Sequence, residues 1–71
     1  MSKIRSIKPK ELLKILISQG FYIHHQKGSH IVLKNKFDST KRTVVPMHNK
    51  DLKIKTLLSI LKEAGIKKEN L

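Results

Sequence analysis

The chain has no cysteine and no tryptophan. Disulfides, thiolate nucleophiles and cysteine-ligated zinc are thereby excluded. Its four histidines match no tight zinc-ligand spacing, so no metal site and no cofactor are expected. Acidic residues are also scarce: Glu11, Asp38, Asp51, Glu63 and Glu69 are all of them. Metal-dependent phosphoryl chemistry needs clustered carboxylates. Here Asp38 and Asp51 read as loop and cap residues, and the three glutamates as solvated positions on or beside helices. No apolar run exceeds three residues, and neither helical segment has aromatic anchors, which speaks against both a membrane span and a membrane-surface helix. The opening Met1 to Arg5 is charged but lacks an apolar stretch of signal length, which points to the cytoplasm.

What the chain has in excess is positive charge. Sixteen Lys and Arg against five acids give a net +11 on 71 residues. Phosphate polymers or an acidic protein are the natural partners of such a surface. The length suits a single domain over residues 1–71. Folding at this size hides only about 60% of the surface exposed by the unfolded chain. With 38% apolar residues and three aromatics (Phe21, Tyr22, Phe37), the core is small. A stability of roughly 3–5 kcal/mol is expected without a partner.

A basic lead-in covers residues 1–7. Pro9 then stands where a first helical residue belongs, since its missing N–H has no partner there in any helix. Leu12, Leu13, Leu16 and Ile17 share one face at the 3.6-residue period, and Gly20 supplies the left-handed stop. Phe21 to His25 is too short for a helix and rich in strand formers. Ser29 to Lys34 and Lys41 to Met47 read as the second and third strands, separated by a polar loop holding Asn35, Asp38 and Ser39. Pro46 lacks a ladder donor, so the third strand lies at an edge or ends its pairing there. The second helix follows His48 to Asp51, with Asp51 as N-cap, Ile54, Leu57, Leu58 and Leu61 on its buried face, and Gly65 with Ile66 closing it. The order is α-β-β-β-α, an α+β domain with a three-stranded antiparallel meander and two helices on one face. The other face of the sheet stays open to a ligand.

Alternation along the second strand sends Ile31 and Leu33 to one face and His30, Val32 and Lys34 to the other. With Ile31 and Leu33 toward the helices, His30 faces solvent beside Lys34. A three-residue loop at Gln26-Lys27-Gly28 pairs Ile23 with Ile31 and sets His24 opposite His30, whereas a two-residue Lys27-Gly28 loop sets His25 there. The first is preferred because it joins apolar to apolar. A solvated strand histidine is the commoner case in proteins, but two imidazoles beside a phosphate can serve as base and acid in RNA cleavage. One takes the proton of the ribose 2′-hydroxyl while the other protonates the departing 5′-oxygen. Lys27, Lys34 and Arg42 are candidates to steady the charged intermediate, and such cations favour neutral imidazole. Gly28, without a Cβ, lets the backbone approach a phosphate, and Ser29 donates from its hydroxyl or amide. His48 completes the set of candidate RNA contacts. Lys62, Lys67 and Lys68 read as solubilising charges that suit the C-terminal dipole of the second helix.

Gly20-Phe21, Gln26-Lys27-Gly28-Ser29-His30, Val44-Val45-Pro46-Met47-His48, and Leu57 through Ile66 together resemble the HicA family of toxin ribonucleases from bacterial toxin-antitoxin pairs. The resemblance spans nearly the whole chain in order. It implies a fold similar to double-stranded-RNA-binding domains, metal-independent cleavage of mRNA, and inhibition by a HicB-type antitoxin. It also carries the catalytic histidine of the family's Gly-Ser-His onto His30. The departure lies at Ile54-Lys55-Thr56-Leu57, where family members often show Pro-Gly-Thr-Leu. Two other functions compete with the toxin ribonuclease. A non-catalytic RNA-binding module keeps the fold and needs no histidine. A DNA-binding regulator wants a base-reading helix, and Leu52 to Ala64 offers mainly core residues and lysines.

Overall fold

Pro9 opens helix α1 (Pro9–Ser18) at its first turn, where Glu11 also suits the positive end of the helix dipole. Leu12 and Leu16 are fully buried, with Leu13 and Ile15 packed at their flanks. Ile17 was expected on the buried face but is 49% exposed. It stands about 100° around the helix from Leu16, and Ile15 covers the core on the other flank instead. The chain leaves the helix through Gly20 at φ +92, a conformation that favours glycine. The computed structural model describes residues 7–48 and 50–67. Most of the basic lead-in and the readings of Lys68 and Glu69 lie outside them, whereas Ile7, counted with that lead-in, is fully buried.

Three antiparallel strands follow in the order β1 (Phe21–Lys27), β2 (His30–Asn35) and β3 (Arg42–Pro46), with α2 (Ile54–Ala64) completing the α-β-β-β-α order. Ile31 and Leu33 of β2, with Thr43 and Val45 of β3, are buried toward the helices. Pro46 is the last residue of an edge strand, where the missing donor costs little. The loop between β2 and β3 is built on side-chain oxygens. Asn35 Oδ1 accepts from the amides of Phe37 (2.8 Å) and Asp38 (3.0 Å), and Asp38 Oδ1 accepts from the amide (3.0 Å) and hydroxyl (2.6 Å) of Thr40. The two bonds from Thr40 hold the Asp38 carboxyl below its ordinary value. Asp38 is thus a loop residue, as expected.

Both expectations for the start and face of α2 are corrected. Asp51 is not its N-cap: Lys53 holds that place, without a side-chain bond. The reason lies in the preceding link, where the Leu52 amide donates to the Ile7 carbonyl (2.9 Å) and the Leu52 side chain is buried. This holds the backbone extended until Ile54. The buried face runs through Leu57, Ile60, Leu61 and Ala64, the same i, i+3, i+4, i+7 pattern displaced by three residues, while Ile54 and Leu58 are 47% and 41% exposed. With Leu52 already covering the core before the helix begins, Ile54 is not needed there. Gly65 at φ +69 ends the helix, and the Ile66 amide reaches back to the Leu61 carbonyl (2.9 Å) as Ile66 enters the core. Glu63 is not merely solvated: its Oε1 accepts from the hydroxyl of buried Thr43 (2.9 Å), which fastens α2 to β3.

Candidate functional site

The helices leave one face of the sheet open, and the strand pairing sorts its side chains into three rows. Nearest the first hairpin, His30 lies between Lys27 and Pro46. The middle row centres on Val32 and Val44, with His25 opposite Val32. The far row is Tyr22, Lys34 and Arg42. No carboxylate stands in these rows. Among the described residues, no group of three or more His, Cys, Asp or Glu is placed to hold a metal ion.

The first hairpin differs from both registers considered. Lys27 pairs with His30, so the turn consists of Gly28 and Ser29, and neither His24 nor His25 lies opposite His30. Gly28 at φ +58 occupies the first central position, which is the demand of a type II′ turn and fits the right-handed twist of the strands. The Gln26 side-chain amide donates to the Gly28 carbonyl (3.1 Å), and the Met47 amide donates to the Ser29 carbonyl (2.6 Å), tying the turn to the end of β3. Pairing thereby runs to Lys27 on β1, two residues beyond the last one that the three-residue loop would pair, and starts at His30 on β2. A β-bulge between Ile23 and His25 takes back one residue of this shift, and Ile23 pairs with Leu33 rather than Ile31, and Phe21 with Asn35.

That bulge creates the most distinctive chemistry of the face. Two residues now oppose Val32, and the rings of His24 and His25 meet edge to face with Nδ1 atoms 2.9 Å apart. One Nδ1 must donate and the other accept. A neutral pair therefore presents one bare Nε2, able to take a proton, and one Nε2–H, able to give one. The Lys34 ammonium, followed by partial desolvation, His25 and the Arg42 guanidinium, holds the His24 imidazole below its ordinary value of 6.5. Flanking cations favour the neutral form, as expected. By register His25 is the diagonal neighbour of His30, a separation of roughly 7–8 Å between Cα atoms.

Thus His30, His24, Lys27, Lys34 and Arg42 share one face, with Gly28 and Ser29 in the turn beside it. A Cβ on Gly28 would meet nothing within 4 Å, so the turn is open to an incoming group. His48 lies past the end of β3, next to Met47, whose amide is bonded to the turn. It is exposed two residues beyond Pro46, in a depression with Lys8, Lys10 and Met47. Lys55 faces a groove of about 500 Å³ between α2 and β3, which it lines with Arg42, Thr56, Ser59 and the carboxylate of Glu63. Sequence reasoning missed Tyr22 as a member of the open face, although simple alternation from His24 would have found it. The His24–His25 contact had no such signal, because a bulge is not visible in a pattern of period two.

Residues 9–66 match the family described as the HicA toxin of bacterial toxin-antitoxin. Comparison with curated proteins yields no match. The family match covers α1, the sheet and α2, and with it the whole open face, so the chain belongs to the HicA toxin family of bacterial toxin-antitoxin systems.

Proposed function

We propose that this toxin is a ribonuclease that cleaves mRNA on the open face of its sheet without a metal ion, acting as one domain in the cytoplasm. One observation carries the reading: among the described residues, three imidazoles and three cations gather in strand rows that hold no carboxylate. Lys27, Lys34 and Arg42 draw the phosphate backbone down, and the Gly28-Ser29 turn gives it room beside His30. One imidazole removes the proton of the ribose 2′-hydroxyl. The 2′-oxygen then attacks phosphorus, the bond from phosphorus to the 5′-oxygen breaks, and a second imidazole protonates that oxygen. The products are a 2′,3′-cyclic phosphate and a 5′-hydroxyl end. We assign one role to His30 and the other to the His24–His25 pair, whose shared hydrogen bond presents both a proton acceptor and a donor. A HicB-type antitoxin is the protein partner in this reading.

The test is cleavage of a defined RNA in chelator by the parent protein and by His30→Ala. Cleavage by the parent to cyclic-phosphate ends, and its loss in a folded His30→Ala protein that still binds RNA, is the expected result. Affinity survives because lysine and arginine contacts to phosphate supply most of it. If folded His30→Ala protein cuts as fast as the parent, the role of His30 is wrong. If neither protein cuts, a binding module is what remains.

A further inference from the structure

Tyr22 lies on the open face in the same row as Lys34 and Arg42, and it is 44% exposed. An aromatic on a strand ordinarily packs against an apolar or aromatic neighbour across the ladder. Here the residue opposite is Lys34. The core does not use this ring, since Phe21 beside it points the other way and is buried. A polar side chain would serve a solvated strand position at least as well.

We infer that Tyr22 is a base-stacking residue for single-stranded RNA, holding a base that flanks the cleavage site. The inference rests on the open face being the RNA site. Base faces are hidden inside a duplex, which offers proteins its phosphates and 2′-hydroxyls, so an exposed ring gains nothing from double-stranded RNA. A single strand exposes those faces, and a platform of aromatic rings set among cations is how such strands are held. Lys34 and Arg42 stand beside the ring to take the phosphates on either side of the stacked nucleotide. The distance along the strand separates this role from that of His30. Lys34, the partner of Tyr22, lies four residues from His30 on β2, about 13 Å at the rise of an extended strand. The stacked base therefore lies on the His24 side of the scissile phosphate, away from His30. Stacking accepts every base, so Tyr22 orders the strand across the face with little choice of sequence.

Tyr22 is the only tyrosine and the chain has no tryptophan, so intrinsic emission reports on this one ring. The experiment uses His30→Ala protein, which leaves the RNA intact, titrated with an unstructured single strand, the same strand with abasic positions, and a duplex. The single strand should quench Tyr22 emission, while the abasic strand and the duplex bind through charge with emission unchanged. Tyr22→Phe on the same background should keep the affinity for the single strand. Tyr22→Leu should weaken it about 5- to 150-fold, the usual range for one stacked base, without altering binding of the abasic strand. Should Tyr22→Leu fail to fold, the comparison of base-bearing and abasic strands on the tyrosine protein decides alone. Equal quenching by the abasic strand or the duplex overturns the inference. Cleavage by the parent is read separately. Quenching without cleavage sinks the ribonuclease reading and leaves the stacking role, and cleavage without base-dependent quenching does the reverse.

Discussion

His24 and His25 are hydrogen-bonded to each other through their Nδ1 atoms at 2.9 Å, a contact that regular alternation forbids and the bulge in β1 permits. Neighbours in an unbroken strand point to opposite faces. The extra residue turns both rings onto the open face, where Lys34 and Arg42 bear on His24.

His24 should titrate accordingly. An NMR titration should place the His24 midpoint below 6.5, and Lys34→Ala should raise it more than Arg42→Ala, since Lys34 is the larger influence. The sign for stability follows. A lowered imidazole means that the unfolded chain binds more protons near this pH, so stability is full above about 6.5 and declines as pH falls through the folded value. Because His24 is exposed, that decline should be shallow. A His24 midpoint at or above 6.5, or one indifferent to Lys34, would show that these cations do not control it.

In cleavage the two rings should act as a unit. His24→Ala and His25→Ala each remove the shared bond, and each should slow cleavage by roughly 10²–10⁴, the usual worth of a positioned proton donor or acceptor. The double variant should then be no slower than the worse single one, because groups that work together are not additive. Multiplicative losses, or full activity in either single variant, would end the idea of a pair.

Much of the fold was legible because the local signals agree with one another. Pro9, Gly20 and Gly65 punctuate the helices through backbone conformation alone, and the alternation in Ile31-Val32-Leu33 assigns the faces of the central strand. The exposure of His30 followed from that. What escaped depends on distant partners. Leu52 is buried because Ile7 holds its amide, and that contact moves both the start and the buried stripe of α2. The register escaped because Lys27-Gly28 and Gly28-Ser29 both satisfy a tight turn, and a bulge repairs the pairing behind it. The site was therefore readable as a face but not as a set of neighbours.

Two adjacent leucines offer a test of the stripe. Leu57 is fully buried, and Leu57→Ala should cost about 2–5 kcal/mol, enough to unfold most of a chain of this size. Leu58, 41% exposed, should lose less than roughly 1 kcal/mol on the same change. Urea unfolding of both variants, followed by circular dichroism, makes the comparison. Similar losses at the two positions would mean that α2 is rotated from the face described.

The antitoxin of this system should cover the open face. Sixteen Lys and Arg exceed the five acids of the chain by eleven charges, and Lys27, Lys34 and Arg42 stand on that face with no carboxylate among them. An acidic partner seated on those cations excludes RNA directly. By mass action it also raises the stability of a small fold. Steering by charge should make association fast at low salt and slower as salt screens it, and Lys34→Glu should weaken the complex and RNA binding together. The measurement is binding of the protein encoded beside this one, with and without excess RNA, using His30→Ala protein so that the RNA survives. RNA should displace the partner at low salt. A complex that binds both ligands tightly at once would place the antitoxin on another surface, and its inhibition would then have to work by a route other than occlusion.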